Sequence, residues 1–325
     1  MEKIRIGILG CANIARRSVI PAIFRLNSKY IITGIASRDD KKAKEFSNQF
    51  NIDSSYDYNT ILNKDLIDMV YIPLPNALHY EWILKSIERG VHVLVEKPLA
   101  CTFNQTKEVT EKARKRNIAI VENFQFRFHP QMNYIFKILK NGEIGELRSI
   151  RSSFGFPQFA DKNNFRYNKE LGGGALLDAG VYPVKITQLL MGNNVLVNAA
   201  KLYYDPELGV DLWGGAFLSS TSSSLFSEIA FGFDNYYQCN LELWGSKGKI
   251  TADRIFTAPA EFQPLITIEN EFGKKCEQLP SGNHFINMLE FVFNLITSGN
   301  FMEEYNQNLN QAKLVEGIRK AAENN

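Results

Sequence analysis

Two rhythms of apolar and polar residues run along the chain, and the change comes near residue 123. Before it, short apolar runs without polar alternation recur at 4–9, 31–36, 68–72, 91–96 and 118–122. Runs of this kind suit strands buried on both faces of a parallel sheet. Helical spacing fills the intervals at 39–50, 77–88 and 102–115, with Lys41, Lys42 and Lys44 on a wet side of the first. Asn76 stands where it would cap the second. Strands alternating with helices at this interval predict a doubly wound parallel sheet.

Beyond Asn123 the pattern changes. Residues 130–140 read as a helix, 145–156 as a long strand, and 163–167 as a polar-aromatic loop carrying Arg166. Gly172-Gly173-Gly174 then precedes a periodic helix at 175–191. The glycines make either a hinge or a place where backbone passes close to another group. Strands follow at 195–204, 213–220, 225–233, 236–244, 248–252 and 265–272, with hairpin turns at Asp234-Asn235 and 245–248. Amphipathic helices at 285–296 and 308–322 close the chain. The expected class is α/β, an N-terminal Rossmann sheet plus a C-terminal α/β domain with a large, mostly antiparallel open sheet. The expected domains are 1–122 and 123–304, with a helix at about 305–325 packing back on the first.

Composition narrows the function classes. The chain has 325 residues, 45% hydrophobic and 22% charged, which suits a globular protein of about two domains. Net charge is +2 with no dominant basic block, so nucleic acid and membrane surfaces have no electrostatic footprint. No apolar run approaches the length of a membrane span, and the first residues lack a signal-peptide pattern. Cys11, Cys101, Cys239 and Cys276 form no CxxC pair, and His79, His92, His129 and His284 show no ligand spacing. No metal site is expected, and reduced thiols point to the cytoplasm.

Candidate chemistry gathers at strand ends. VHVLVEKP, residues 91–98, stops at Pro98 and leaves Lys97 at the carboxyl edge, where open α/β sheets bind ligands. Lys97 beside Glu96 is either a proton-transferring group or a lysine leaving the sheet for solvent. Gly10-Cys11-Ala12-Asn13-Ile14-Ala15 matches the dinucleotide fingerprint at its first and third positions, with Ala12 adding a methyl at the second. Ser37-Arg38 ends the second strand without an acidic residue. A hydroxyl and a guanidinium suit a 2′-phosphate, so NADP(H) is expected over NAD(H). His79 either faces the cofactor or is structural. Asp178 and Tyr182, four apart, share a helix face as a structural pair or as groups aimed into a cleft.

GILGCANIARR (7–17), YIPLPNALH (71–79), HVLVEKPLA (92–100) and GGGALLDAGVYPV (172–184) together resemble the glucose–fructose oxidoreductase / inositol dehydrogenase (Gfo/Idh/MocA) superfamily. The resemblance implies nicotinamide redox chemistry on sugars or similar polyols. It maps the family's lysine onto Lys97, its aspartate onto Asp178 and its acid/base position onto Tyr182. It places the cofactor at Gly10, Cys11, Ala12, Asn13, Ile14, Ser37, Arg38, Pro73, Leu74, Asn76, His79, Glu96, Lys97 and Arg166. Asp178, Arg166, Lys97 and Tyr182 would meet the substrate.

Many members carry histidine where this chain has Tyr182. That variant, with Ser37-Arg38 and the NFRY stretch at 164–167, is similar to NADPH-dependent sugar-nucleotide 3-ketoreductases of deoxysugar pathways. It is also similar to trans-dihydrodiol and xylose dehydrogenases. The expected reaction is NADPH-dependent reduction of the C3 keto group of a nucleotide-linked keto-deoxysugar. The alternatives are NADP-dependent oxidation of a free sugar or cyclic diol, glycoside cleavage with a retained nicotinamide, and a non-catalytic NADP-dependent binding protein. A nucleotide would need further cations, for which Lys162, Arg166 and Lys169 are candidates. The antiparallel sheet is the expected homodimer or homotetramer interface.

Overall fold

A computed structural model describes residues 2–52 and 55–323. The chain divides into two compact units. One comprises the chain to Asn123 together with Phe285–Leu309; the other comprises Phe124–His284 and the chain from Asn310.

The first unit is built on a six-stranded sheet in the order β3-β2-β1-β4-β5-β6. β1 (Ile4–Leu9) enters a π-turn, Ala15–Val19, that runs into α1 (Ile20–Arg25). β2 (Tyr30–Ala36), α2 (Asp40–Phe50), the short β3 (Ser55–Tyr56) and α3 (Tyr58–Ile61) follow. β4 (Met69–Ile72), α4 (Asn76–Glu88), β5 (His92–Glu96), α5 (Phe103–Arg116) and β6 (Ile120–Asn123) complete the alternation. Every strand pair is parallel. All four residues of β4 are buried, as expected of a strand covered on both faces. Asp39 caps α2 by accepting from the Lys41 and Lys42 amides, and Thr102 caps α5. The expected cap at Asn76 shifts by one: Pro75 is the N-cap, and Asn76 is the first helical residue and buried. Pro75 brings extended φ/ψ (−57°, 146°), which sets the start of the helix without a side-chain bond.

The second unit holds α6 (Pro130–Lys140), β7 (Leu147–Gly155) and a π-turn, Leu176–Gly180, leading into α7 (Val181–Met191). Then come β8 (Val195–Tyr204), β9 (Asp211–Ser220), β10 (Phe226–Gly232), β11 (Gln238–Gly245), β12 (Gly248–Asp253), β13 (Leu265–Asn270) and β14 (Gly273–Gln278). The eight strands lie in the order β14-β13-β12-β11-β7-β10-β9-β8. They pair antiparallel except β7 with β10. α7 and its π-turn pack across β7, β9 and β10. β14 has no counterpart among the expected strands, because GKKCEQ is exposed and lacks apolar alternation.

The closing segment is α8 (His284–Ser298) and α9 (Met302–Glu323). In the first unit, the Tyr30 hydroxyl donates to the Leu289 carbonyl at 2.7 Å, and Tyr305 donates to the Ile118 carbonyl at 2.7 Å. The later part of α9 belongs to the second unit, where Gln311 donates to the Val181 carbonyl at 2.8 Å. The helix expected over about 305–325 is therefore shared by the two units, and its last two residues lie outside the described range.

Candidate active site

The carboxyl edge of the first sheet carries a cavity of about 470 Å³. Gly10, Cys11, Ala12, Ser37, Arg38, Pro73 and Leu74 line it, joined by Asp39, Lys42, Tyr58 and Pro75. Gly10 has φ +125°, and a Cβ there would stand 2.8 Å from Leu74 Cδ2, so the turn admits no larger residue. Ser37 Oγ accepts from the Asp39 amide at 3.1 Å, and Asp39 Oδ1 accepts from the Lys41 and Lys42 amides. The one carboxylate in the lining is thus turned onto a helix end. Arg38 and Lys42 are left as its cationic groups. Burial raises the Tyr58 phenol pKa, and Arg38 lies against it. A cradle with a tight glycine turn and two cations fits a dinucleotide bearing a 2′-phosphate.

Asn13, Ile14, Asn76, His79, Glu96 and Lys97 do not line this cavity. Lys42 and Tyr58 do, and sequence reasoning missed both. Lys42 had a signal, since it lies four residues after Arg38 at the start of a helix.

Lys97 follows β5 directly and is half-buried. The loop it opens is fastened on both sides of the strand. Leu99 donates its amide to Glu122 at 2.8 Å. The His79 ring nitrogens stand 2.8 Å from the Pro98 and Leu74 carbonyl oxygens. His79 is fully buried, and burial lowers its pKa to about 4. A neutral imidazole carries one N–H, so His79 donates to one of these two carbonyls, which belong to the loops after β4 and β5. Glu96 is likewise engaged within the protein. It accepts from the Tyr71 hydroxyl at 2.6 Å and from Asn123 Nδ2 at 2.7 Å, across three neighbouring strands. Burial raises its pKa.

In the second unit Tyr182 sits among four rings. Phe154, Phe256, Phe124 and Phe126 lie 5.2, 5.5, 5.6 and 5.9 Å from it, centroid to centroid. One turn earlier, the buried Asp178 accepts from Arg166 Nε at 2.6 Å. The Arg166 guanidinium is held between Phe159 and Phe165, 4.8 and 4.7 Å from their ring centres. Asp178 and Arg166 are thus an ion pair. Asp178 lies in the π-turn, whose wider i→i+5 bonding marks functional segments in many helices.

The triple glycine serves this helix start. Gly174 has φ +112°, and a Cβ there would meet Asp211 Oδ1 at 2.2 Å. The Gly174 amide donates to the Arg166 carbonyl at 2.9 Å. The buried Asp211 accepts from the Leu176 amide at 2.6 Å. The glycines therefore bring backbone close to the Arg166 loop and to Asp211. Asp211 was beyond reach of sequence reasoning, since it lies on another strand.

The geometry can be set beside known proteins. Residues 4–124 match the family described as oxidoreductases with an NAD-binding Rossmann fold, and residues 132–251 match that family's C-terminal domain. A dTDP-3,4-didehydro-2,6-dideoxy-alpha-D-glucose 3-reductase of Saccharopolyspora spinosa is 40% identical over 83% of this chain and 80% of its own. One of Actinomadura kijaniata is 36% identical over 98% of this chain and 96% of its own. A crystal structure of a 3-ketoreductase from Actinomadura kijaniata with NADP and TDP-benzene superposes with a TM-score of 0.93. It shares 35% identity over 98% of each chain. With the Rossmann cradle, the open antiparallel sheet and these matches in agreement, the chain belongs to the Gfo/Idh/MocA family of oxidoreductases.

Proposed function

We propose that this protein reduces the C3 keto group of a nucleotide-linked keto-deoxysugar with NADPH. The observation that carries the reading is the Arg38–Lys42 cradle of the first unit, and the tyrosine, Tyr182, that the second unit has where the family resemblance puts the acid/base group supports it. Relatives with 3-reductase activity on dTDP-linked sugars, matching over most of this chain, support it.

When bound, the reduced nicotinamide supplies hydrogen and two electrons to the carbonyl carbon. The chain's own groups do the rest. Gly10, Cys11 and Ala12 leave room for the diphosphate, and Ser37, Arg38 and Lys42 receive the 2′-phosphate. Negative charge develops on the substrate oxygen, where hydrogen-bond donors are most effective. Lys97, as an ammonium on a loop fastened by His79 and Glu122, donates the proton. Tyr182 donates a hydrogen bond that orients the substrate, held by its ring cage. Asp178 accepts from Arg166 Nε and Asn164 from Nη1, and the guanidinium so oriented would offer Nη2 to a polar group of the substrate.

The protein acts in the cytoplasm as a homodimer or homotetramer through the open sheet face. Exposed Trp213, Phe217 and Trp244 on that face support the assembly, as do the four free cysteines the location. No described helix is long and apolar enough to cross a membrane.

The test is a panel of nucleotide-linked keto sugars and free aldoses, each followed by NADPH or NADP⁺ absorbance. Turnover of the nucleotide-linked keto sugars alone supports the reading. Oxidation of free D-xylose at higher kcat/KM would replace it with the dehydrogenase alternative.

A further inference from the structure

Three non-glycine residues among those described have positive φ. Asn51 and Asn117 close helices, where asparagine is at home. Arg254, at φ +51°, is different. Nothing in an arginine side chain favours that conformation, and such strain persists only where surroundings impose it. Here two buried glutamines impose it. Gln131, in the first turn of α6, donates through Nε2 to the Arg254 and Ile255 carbonyls at 3.4 and 3.1 Å. Gln125 donates to the Phe256 carbonyl at 3.3 Å. Three successive carbonyls are thus taken up by two side-chain amides. From the other side, Cys239 accepts from the Ile255 amide through its carbonyl at 3.3 Å and from the Phe256 amide through its sulfur at 3.4 Å.

The arrangement carries a second cost. Gln131 Oε1 is buried and meets no donor among the described residues. A buried polar atom without a partner is destabilising, and an apolar side chain of similar shape would avoid it. Strain and an unsatisfied oxygen therefore fall on one turn. That turn ends on Phe256, a fully buried ring 5.5 Å from Tyr182, centroid to centroid. Gln125 stands between Phe124 and Phe126 in the chain, which are two further rings of the same cage. Phe126 and Phe256 meet edge to face at 5.1 Å. The bond from Gln125 to the Phe256 carbonyl therefore ties together the backbone of three of the four rings around Tyr182.

We infer that Gln125 and Gln131 are positioning residues for Tyr182. They hold the turn at 254–256 in a strained form that sets the Phe256 ring, and that ring sets the direction of the Tyr182 hydroxyl. The inference rests on the substrate-orienting role given to Tyr182 above. The effect of both glutamines on the reaction then passes through one hydroxyl.

The test is a double-mutant cycle in the full-length protein. Methionine fills the volume of glutamine without its amide, so Gln131→Met and Gln125→Met should stay folded, with thermal melts as the check. Each should lower kcat/KM for a dTDP-linked keto sugar about three- to tenfold and leave KM for NADPH unchanged. In a Tyr182→Phe background the same changes should cost nothing further, because the hydroxyl they aim is gone. A second readout is the ¹⁹F spectrum of protein labelled with 3-fluorotyrosine, in which the Tyr182 signal is identified by its loss in Tyr182→Phe. That signal should shift or broaden in both glutamine variants. Equal losses in the wild-type and Tyr182→Phe backgrounds would overturn the inference, since the glutamines would then act on the fold alone. Wild-type kcat/KM in both variants, or an unmoved Tyr182 signal, would overturn it too. The fluorine signal needs no substrate. A wild type that turned over no nucleotide sugar would take down the nucleotide-sugar reading, and the spectrum would still decide whether the glutamines hold Tyr182.

Discussion

His79 and Pro98 are joined by a 2.8 Å contact from ring nitrogen to carbonyl oxygen, one residue from Lys97. The other ring nitrogen reaches the Leu74 carbonyl at the same distance. Leu74 borders the cavity of the first unit, and the neutral imidazole, with one N–H, stands between that edge and the lysine loop and donates to one of the two carbonyls. Replacing it with leucine strands a buried carbonyl, which costs ~1–3 kcal/mol. His79→Leu should therefore lower the urea midpoint and raise KM for NADPH. A variant as stable as wild type, with unchanged KM, would show the two loops are held by other means.

Lys97 is assigned the proton donor, so Lys97→Ala should lower kcat by ~10²-fold or more. Tyr182→Phe keeps the ring in its cage of four phenylalanines and removes only the hydroxyl, so its loss should be smaller. Steady-state kinetics of both variants decide the order. If Tyr182→Phe alone abolishes turnover, the two roles exchange.

Arg38 and Lys42 are the cations of the cavity, and Asp39 is turned away by capping α2. Arg38→Ala should cut kcat/KM for NADPH by ~10–100-fold, the scale of lost charge-assisted bonds, and leave NADH almost untouched. Lys42→Ala should act in the same direction. Equal use of both coenzymes by the wild type would contradict the 2′-phosphate assignment.

Acid should weaken the second unit through two histidines. His129 and His284 are buried with rings 5.7 Å apart, and burial lowers their pKa values to about 4 and about 3. Each His129 charge would also oppose one on His284. Between these values and ~6.5, the unfolded chain binds more protons than the folded one. Their contribution is full above pH ~6.5 and is lost as pH falls through that window, by at most ~1.4 kcal/mol per pH unit for each group. Urea melts between neutral pH and pH ~5 should show the decline, and His129→Gln should flatten it.

Gly174→Ala should destabilise the fold by more than a typical surface change. It puts a Cβ 2.2 Å from Asp211 Oδ1 at φ +112°. Asp211 must then move from the Leu176 amide it caps, at the start of the helix carrying Asp178 and Tyr182. A cost of ~1–3 kcal/mol is expected from the strained backbone alone. Thermal melting and KM for the sugar substrate check it together.

Local chemistry was legible in the sequence. The apolar runs gave the parallel strands because burial on both faces forbids alternation, as in β4 and β5. Gly10, Ser37 and Arg38, marked in the sequence by a tight turn and a strand end, do line one cavity. What stayed hidden was contact between distant segments. Asp211 reaches Leu176 from 35 residues away, and Gln131 reaches Ile255 from 124. No periodicity records either. His79 illustrates the middle case: its place after β4 suggested either the cofactor edge or a structural role, and the sequence does not record the Pro98 and Leu74 carbonyls that stand against its ring. The π-turn at Leu176–Gly180 was invisible because its residues also suit an ordinary helix.

The central claim is where the reaction happens on the sugar. The direct measurement supplies NADPH deuterated at the transferred position of nicotinamide C4 and a dTDP-linked 3,4-diketo-2,6-dideoxyglucose, then locates the label in the product by NMR. One deuterium at C3, with the C4 keto group intact and one NADPH consumed per sugar, is the result predicted. Label at C4, or none in the sugar while NADPH is stable, would contradict it.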